Sequence, residues 1–454
     1  MKEREYHILS TGQYQYVMLF SAIKDKSFNN INVYIKFLSA VEEQTLLRAI
    51  QYTFSNLPYC SLRLHETEEG ELKQYMSEEE PQNIEIVDFS DKTEEEIDRA
   101  ILTWCKTAFP NQCNDVELIS ARVLRLPEGK LGVVFVADHV IIDAYALIHL
   151  VRYLDKTYAA MVEGKELPAP GPLPWEEIEN TWAFEQTKRY QADLAWWEKE
   201  FEEEPHFTSV NGVGSPEFIE GKNYGRSQTL AQLRGDILYR RFPAEFVSRI
   251  DREALKRNVS PQAYYLLAIR TFLARVSQTD DVMLDSLVTR RSTRLQREVG
   301  LSYANMLPFR TIMTEEQSFD DALLQVSEKQ RELYRHASVY PCDIGAVLND
   351  HHDAPLGCTY RTVWLTYQPF FHLENANLEF EAHAISIGMV GTPLYIIIQP
   401  KDNSGDLWGN YVHAVGYTEP KNVERLHSFI LDFLSEGMEN GELSVKELTD
   451  RNLK

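Results

Sequence analysis

The amino-acid sequence predicts an α/β protein made of two lobes. Its 454 residues exceed what one hydrophobic core usually serves. Strand patterns alternate with helix patterns in both halves of the chain, and a proline-rich stretch, KELPAPGPLPWEE (165–177), separates the halves. We therefore expect an N-terminal lobe over residues 1–170 and a C-terminal lobe over residues 171–454, with this stretch as the linker.

The first half reads as mixed strand and helix. The predicted elements are a strand in NINVYIKFLSA (30–40), a helix in VEEQTLLRAIQYTFSN (41–56), hairpin strands in LRLHE (62–66) and GELKQYM (70–76), and a helix in IDRAILTWCKTAF (97–109).

The second half combines long amphipathic helices with strands. Helices are predicted in TWAFEQTKRYQADLAWWEKEF (181–201) and SPQAYYLLAIRTFLARVSQ (260–278), and strands in DDVMLDSLVT (280–289), RTVWLTYQP (361–369), GTPLYIIIQP (391–400) and WGNYVHAVGY (408–417). Ser260 is placed as an N-cap with Pro261 at the first helical position, which is a strong start signal.

The stretch LGVVFVADHVIIDAYALIHL (131–150) carries the most functional information. Its first residues form a β-branched and aromatic run, which predicts a strand covered on both faces, and its last residues have helical apolar spacing. His139 therefore lies at a strand-to-helix turn, where a side chain is held rigidly and still meets a substrate. Its pKa range makes it a candidate general base. On these residues alone, a histidine that only caps or packs the strand end is the simpler interpretation.

Composition and charge exclude several function classes. A formal net charge of −23 argues against nucleic acid as a partner, because phosphate backbones need a positive surface. No apolar run is long enough to cross a bilayer, and the N-terminus lacks the features of a secretory signal, so no membrane association is expected. The five cysteines are scattered without CxxC spacing, which favours free thiols in a cytoplasmic protein.

Motifs for metal and nucleotide binding are missing from the sequence. His351 and His352 are adjacent, but they lie among turn-forming residues that predict a surface loop, and no third ligand has suitable spacing. GxSxG, P-loop and GxGxxG motifs are absent as well. We expect no metal site.

Several segments, in order along the chain, resemble the condensation domains of nonribosomal peptide synthetases, within the chloramphenicol-acetyltransferase-like acyltransferase superfamily. ADHVIIDA (137–144) is similar to the HHxxxDG motif of that family, NLPYCSLRLHE (56–66) to its HPxLRTxF segment, and GLSYANMLPFR (300–310) to its GxxxNTLPLR segment. DLAWWEKEF (193–201) and HASVYPCDIGAVL (336–348) also fit, so that the resemblance covers essentially the whole chain.

The resemblance implies two chloramphenicol-acetyltransferase-like lobes in a V-shaped pseudo-dimer with a tunnel along their interface. The donor would be an acyl thioester, on coenzyme A or on the phosphopantetheine arm of a carrier protein, and the acceptor a small amine or hydroxyl compound. His139 matches the second histidine of the motif and would orient or deprotonate the acceptor. Asp143 matches the motif aspartate, which is structural in the family and pairs with an arginine; we expect that arginine to be Arg63. No permanently bound cofactor is implied.

Two positions depart from the motif of the family. Asp138 replaces the first histidine, and Ala144 replaces the final glycine. A carboxylate beside His139 would raise its pKa and favour the charged form, which is a poor base. Alternatively, Asp138 points away, as successive strand residues do, and caps a backbone donor. We expect the second arrangement.

Further residues are candidates for substrate binding. Asn305 matches a family position on the tunnel side of the second lobe, where it either contacts substrate or ties down its own segment. The basic run TRRSTRLQR (289–297) offers candidate ligands for the phosphates of coenzyme A or a pantetheine arm, first Arg290 and Arg291, and after them Arg294 and Arg297. The alternative for this run is a solvated face, with one of the first two arginines paired to a carboxylate.

Two functions follow from the resemblance. The first is a freestanding condensation-type acyltransferase with His139 as its base. Nothing resembles an adenylation segment or a phosphopantetheine-accepting serine motif, so an acyl or peptidyl carrier protein would act in trans. The second is a catalytically inactive condensation-like module that binds a carrier protein or a partner enzyme. A direct pairing of Asp138 with His139 favours the second function.

Overall fold

The structure is a computed structural model that describes residues 4–109, 112–228, 233–369, 378–402 and 404–453. Contacts divide the chain into two compact units. The first comprises Met1–Thr187, Thr289–Ala304 and Phe371–Ile387, and the second Lys188–Val288, Asn305–Phe370 and Gly388–Lys454. Each unit contains a sheet packed against helices, which confirms the predicted α/β class.

Helices and strands alternate along the described chain. The helices are α1 Thr11–Ala22, α2 Glu43–Asn56, α3 Glu94–Cys105, α4 Ala144–Glu163, α5 Trp175–Glu185, α6 Lys188–Glu200, α7 Ala244–Arg257, α8 Pro261–Ser277, α9 Arg294–Glu298, α10 Phe319–Arg335, α11 Pro341–His351, α12 Pro420–Glu439 and α13 Val445–Asn452. The strands are β1 Asn30–Phe37, β2 Leu62–Glu66, β3 Leu72–Met76, β4 Ile84–Asp88, β5 Ile119–Arg125, β6 Leu131–Asp138, β7 Gly225–Arg226, β8 Gly235–Phe242, β9 Asp281–Val288, β10 Asn305–Ile312, β11 Cys358–Thr359, β12 Val363–Tyr367, β13 Phe380–His383, β14 Leu394–Gln399 and β15 Leu407–Ala414.

The sheet of the first unit has the strand order β13-β1-β6-β5-β4. Its strand β6 runs antiparallel to both neighbours and is buried along its whole length. Alternating side chains account for this: Val133, Phe135 and Ala137 belong to the core that α2 and α4 cover, whereas Val134 and Val136 pack against α3. The prediction of a strand with both faces covered is confirmed.

The sheet of the second unit has the strand order β10-β9-β12-β14-β15-β8. Strand β12 pairs in parallel with β9 and β14, and the other neighbours are antiparallel. Helix α8 begins as the sequence predicts, because Ser260 is its N-cap and accepts a hydrogen bond from the backbone N–H of Ala263, and Pro261 is its first residue.

The observed units differ from the predicted division into residues 1–170 and 171–454. The proline-rich stretch does not separate the units, because α5 follows it and stays in the first unit, where Nε1 of Trp182 donates to the carbonyl oxygen of Leu9 at 2.8 Å. Strand β13 pairs with β1 and so brings a distant part of the chain into the first sheet. The two units are therefore interleaved along the sequence.

Two local expectations also change. The helix predicted over 181–201 is divided between α5 and α6, because α5 ends at Glu185 with Gln186 as its C-cap. His351 is the last residue of α11 and not part of a loop, since Pro341 at the first position starts a helix there. Within the described chain, no helix has both the length and the hydropathy that a membrane span requires.

Candidate active site

The turn between β6 and α4 places the motif side chains. Asp143 is the N-cap of α4, and its buried carboxylate accepts a hydrogen bond from the backbone N–H of Ala146 at 2.9 Å. His139 follows directly after β6, and its backbone N–H donates to the carbonyl oxygen of Asn29 at 2.7 Å. The backbone on both sides of the turn is therefore fixed by hydrogen bonds.

Asp143 is paired with Arg291, so the partner predicted from the sequence, Arg63, is wrong. Nη2 of Arg291 lies 2.9 Å from Oδ1 of Asp143, and both side chains are almost completely buried. Oδ2 of Asp143 accepts from the backbone N–H groups of Tyr303 at 3.0 Å and Ala304 at 3.1 Å. One carboxylate thus holds the segment that carries Tyr303 against the motif turn.

Arg63 is directed elsewhere by the hairpin on which it lies. It is a residue of β2, and its Nη2 donates to Oε1 of Glu117 at 3.3 Å. Its Nη1 donates to the carbonyl oxygens of Leu62 at 3.1 Å and Cys60 at 3.4 Å. Because its charge is already neutralised by Glu117, Arg63 does not serve as the counter-ion of Asp143.

Both terminal nitrogens of Arg291, Nη1 and Nη2, are bound by the protein, which corrects its prediction as a phosphate ligand. Besides the contact with Asp143, its guanidinium donates to the carbonyl oxygens of Gln296, Gly300 (2.8 Å) and Leu301 (2.9 Å). The alternative expectation, that either Arg290 or Arg291 pairs with a carboxylate, agrees with this contact.

Gly300 permits the close packing of this segment. Its φ is +71°, and a Cβ atom at this position would lie 2.1 Å from the ring of Tyr59. A residue with a side chain would therefore meet both an unfavourable backbone conformation and a clash. Since its carbonyl oxygen binds Arg291, the glycine also positions the buried ion pair.

Two side chains that the sequence pattern did not indicate hold the imidazole of His139. Oγ of Ser302 lies 3.2 Å from Nδ1, and the same hydroxyl donates to the carbonyl oxygen of His139. The ring of Tyr16 stacks on the imidazole with a centroid distance of 4.3 Å and an interplanar angle of 10°. Ser302 lies inside GLSYANMLPFR, and a small polar residue in this mainly apolar segment could have been recognised as a candidate site residue. Tyr16 lies on α1, which is apolar without a one-sided pattern and gave no such signal.

Burial lowers the pKa of His139 below its usual value. The negative charge of Asp143 and the backbone carbonyl groups of His139 and Ile142 act in the opposite direction without outweighing burial. The imidazole is therefore neutral at pH 7 and has one ring nitrogen that accepts a proton. Its side chain keeps partial exposure, so that a neutral and firmly held base is accessible.

Asp138 turns away from His139. Its Oδ1 accepts from the backbone N–H of Val140 at 2.9 Å, and its Oδ2 accepts from Nε2 of Gln112 at 2.5 Å. This is the expected backbone cap, and not the contact that would raise the pKa of His139. Burial raises the pKa of the Asp138 carboxyl to about 7, against the effect of the hydrogen bonds from Val140 and Gln112.

Replacing Asp138 by asparagine is expected to make the stability of the protein depend less on pH. The folded pKa of about 7 lies above the ordinary value of 3.8, so the folded state binds more protons between these values and wild-type stability falls as pH rises through that window. Asp138→Asn removes this loss. The difference in free energy of unfolding between the variant and wild type should therefore shift in favour of the variant by about 2–4 kcal/mol from about pH 4 to about pH 8. Denaturant unfolding at the two pH values measures the difference. Asp350→Asn, at an exposed position, is the control, and an equal pH dependence in Asp138→Asn and wild type would contradict the expectation.

The remaining candidates for substrate binding are Asn305 and the other arginines of the basic run. Arg290 is half-buried with a φ of +56°, one residue before the buried arginine. Arg294 is exposed and bound to Glu298 at 2.9 Å, and Arg297 is exposed, as the solvated-face alternative expects. Asn305 is buried at the first position of β10 in the second unit. No group of three or more His, Cys, Asp or Glu side chains in the described ranges is placed to hold a metal ion.

The structure is similar to solved condensation domains. It aligns with the first condensation domain of the calcium-dependent antibiotic synthetase in complex with a substrate analogue, with a TM-score of 0.82 and 19% identity, covering 98% of this chain and 99% of that chain. A mutant starter condensation domain of rhizomide synthetase RzmA in complex with C8-CoA aligns with a TM-score of 0.79 and 15% identity over 97% of this chain and 96% of that chain. These likenesses show the fold.

Sequence comparison gives relatives among much longer proteins. One plipastatin synthase protein of Bacillus subtilis (strain 168) is 20% identical over 430 residues, which is 94% of this chain and 16% of that protein. Surfactin synthase subunit 1 of the same strain is 21% identical over 418 residues, which is 90% of this chain and 11% of that protein. The chain thus spans only a small part of these relatives. The family model of the condensation domain matches residues 3–354 of this sequence, so the chain belongs to the condensation-domain family.

Proposed function

We propose that the protein transfers an acyl or aminoacyl group from a thioester to an amine or hydroxyl acceptor, with His139 as the general base. The observation that carries this proposal is the setting of His139: its imidazole is neutral, contacts Ser302 through Nδ1 and stacks on Tyr16. The buried pair of Asp143 and Arg291 fixes the turn behind it. A base that is neutral at pH 7 and held in one orientation is suited to proton transfer during acyl transfer.

The proposed reaction balances without an added reactant. The acceptor nitrogen or oxygen attacks the thioester carbonyl carbon while the imidazole of His139 takes the proton from the attacking N–H or O–H group. A C–N or C–O bond forms, and the C–S bond breaks. The proton then passes from the imidazolium to the departing thiolate, which leaves as a thiol, and His139 is neutral again.

The proposed donor is a pantetheine thioester. A similar starter condensation domain was solved with C8-CoA, and two relatives found by sequence are subunits of plipastatin synthase and surfactin synthase. Coenzyme A and a carrier protein present the same thioester chemistry at the end of the same arm, so both are tested as donors. We propose Asn305 and Arg290 as substrate contacts, whereas Arg291 is paired with Asp143.

The altered motif is compatible with this chemistry. The carboxylate of Asp138 bonds to Val140 and Gln112, so it does not hold His139 in its charged form. Ala144 is the first residue of α4, where a helical backbone suits alanine as well as glycine. The first histidine and the glycine of the family motif are therefore not needed to keep His139 in place.

A donor and acceptor screen tests the proposal. The purified chain is incubated with acyl-coenzyme A of stepped chain length and with acyl- and aminoacyl-loaded carrier proteins, each with a panel of amines and hydroxyl compounds. Mass spectrometry should detect an amide or ester that forms only when donor, acceptor and protein are present together. A carrier protein that binds tightly while no pair gives product would overturn the proposal and support the inactive binding module. Thiol release that does not depend on an acceptor would also contradict it, because it indicates hydrolysis.

A further inference from the structure

We infer that Ser302 is a positioning residue that keeps the proton of neutral His139 on Nδ1, so that Nε2 is the basic nitrogen. The inference deepens the proposed function, on which it rests only for its catalytic consequence. The tautomer itself is a property of the protein, and it can be measured whether or not acyl transfer is found.

The hydroxyl group of a serine carries a single proton. Ser302 donates this proton to the carbonyl oxygen of His139, which can only accept. The hydroxyl oxygen then has only lone pairs left to offer to Nδ1 at 3.2 Å. A contact between Oγ and Nδ1 is consequently a hydrogen bond only when Nδ1 carries the proton. Neutral imidazole has one N–H group, so Nε2 is left as the acceptor.

The backbone around the ring favours the same tautomer. The carbonyl group of His139 lies close enough to raise the pKa of its own imidazole, and within one residue the nearer ring nitrogen is Nδ1. The carbonyl group of Ile142 also raises this pKa, and it could instead accept a proton from Nε2. The tautomer therefore turns on whether Ser302 or Ile142 receives the ring proton.

Ser302 is held too firmly to adjust to either tautomer. The next two residues donate their backbone N–H groups to Asp143, which is itself the N-cap of the motif helix. On the other side, α1 approaches so closely that a Cβ atom on Gly12 would lie 2.2 Å from the carbonyl oxygen of Ser302. Tyr16 of the same helix stacks on the imidazole and opposes its rotation. The hydroxyl and the ring are thus fixed relative to each other.

The tautomer has a consequence for catalysis. A base must present its unprotonated nitrogen to the acceptor, and Nε2 is the ring nitrogen farther from the backbone. Without the hydroxyl of Ser302, neutral His139 would divide between both tautomers, and part of the protein would present an N–H group instead. We therefore expect Ser302→Ala to lower kcat roughly three- to tenfold, with the donor KM unchanged, as the loss of one neutral hydrogen bond would do.

Nitrogen NMR of ¹⁵N-histidine-labelled protein tests the inference directly. Protonated and unprotonated ring nitrogens have well-separated resonances, and His139→Gln identifies the signals of His139. Wild type at a pH above the pKa of His139 should show a protonated Nδ1 and an unprotonated Nε2. In Ser302→Ala the two signals should move towards each other, whereas Ser302→Thr, which keeps the hydroxyl, should restore the wild-type pattern of signals.

Ser277→Ala is the matched control variant. Ser277 is also buried, its hydroxyl donates to the carbonyl oxygen of Ser209 at 3.3 Å, and it accepts from the backbone N–H of the same residue at 3.1 Å. Its loss should leave the signals of His139 and the pH profile unchanged. A protonated Nε2 in wild type, or signals unaltered in Ser302→Ala, would overturn the inference while leaving the proposed function standing. Absence of transfer with the expected tautomer would overturn the function and leave the inference standing.

Discussion

Replacing His139 by glutamine is expected to lower kcat for acyl transfer by about 10²- to 10⁴-fold. Glutamine keeps a polar side chain at the turn but cannot take the proton of the acceptor at neutral pH. The donor KM should change little, because the proton moves in the transition state and not when the thioester binds. Initial rates of thiol release at varied donor concentration give both constants.

The control for this variant is His351→Gln. His351 is exposed at the end of α11, and its replacement should leave the rate at the wild-type level. Thermal unfolding of both variants should match wild type, which separates a loss of chemistry from a loss of fold. If His139→Gln kept more than about a tenth of the wild-type kcat, the role of general base would be contradicted.

Replacing Arg291 by methionine is expected to lower the free energy of unfolding by about 3–5 kcal/mol. Methionine fills much of the volume, but the fully buried carboxylate of Asp143 loses its counter-ion. The hydrogen bonds from Ala146, Tyr303 and Ala304 remain and satisfy the oxygens without neutralising the charge. Unfolding in denaturant, followed by fluorescence and circular dichroism, measures the loss.

A double-mutant cycle identifies the true partner of Asp143. Adding Asp143→Asn to Arg291→Met removes the unpaired charge, so the double variant should recover part of the loss and give a coupling energy of about 2 kcal/mol or more. The matched cycle uses Arg63→Met, because Arg63 is also buried and bound to a carboxylate. Its coupling to Asp143 should stay within about 0.5 kcal/mol. Equal coupling in the two cycles would show that the observed pairing is not the one that matters for stability.

The parts of the fold that the sequence predicts are those that local patterns determine. The apolar run of β6, the turn after it and the cap of α8 by Ser260 each depend on neighbouring residues, and each is found where it was expected. The direction of Asp138 also follows from the alternation of strand side chains. These features need no knowledge of distant contacts.

The parts that could not be predicted depend on contacts between distant segments. Asp143 and Arg291 are 148 residues apart, and nothing local to Asp143 distinguishes Arg291 from Arg63, which has the same chemistry. Ser302 meets His139 across 163 residues, because the ion pair and a glycine fold that segment back onto the turn. The interleaving of the two units has the same cause, since β13 joins the first sheet from far along the chain.

The pH dependence of kcat/KM, from about pH 5 to about pH 8.5, is the sharpest test of His139 as a neutral base. Because burial lowers the pKa of His139, the rise of the wild-type profile should fall below the pH range in which an ordinary histidine titrates, and the profile should be level from about pH 7 upwards. The residual activity of His139→Gln should lack this rise. A wild-type rate that keeps increasing tenfold per pH unit above about pH 7, or an identical acid limb in His139→Gln, would show that another group is the base.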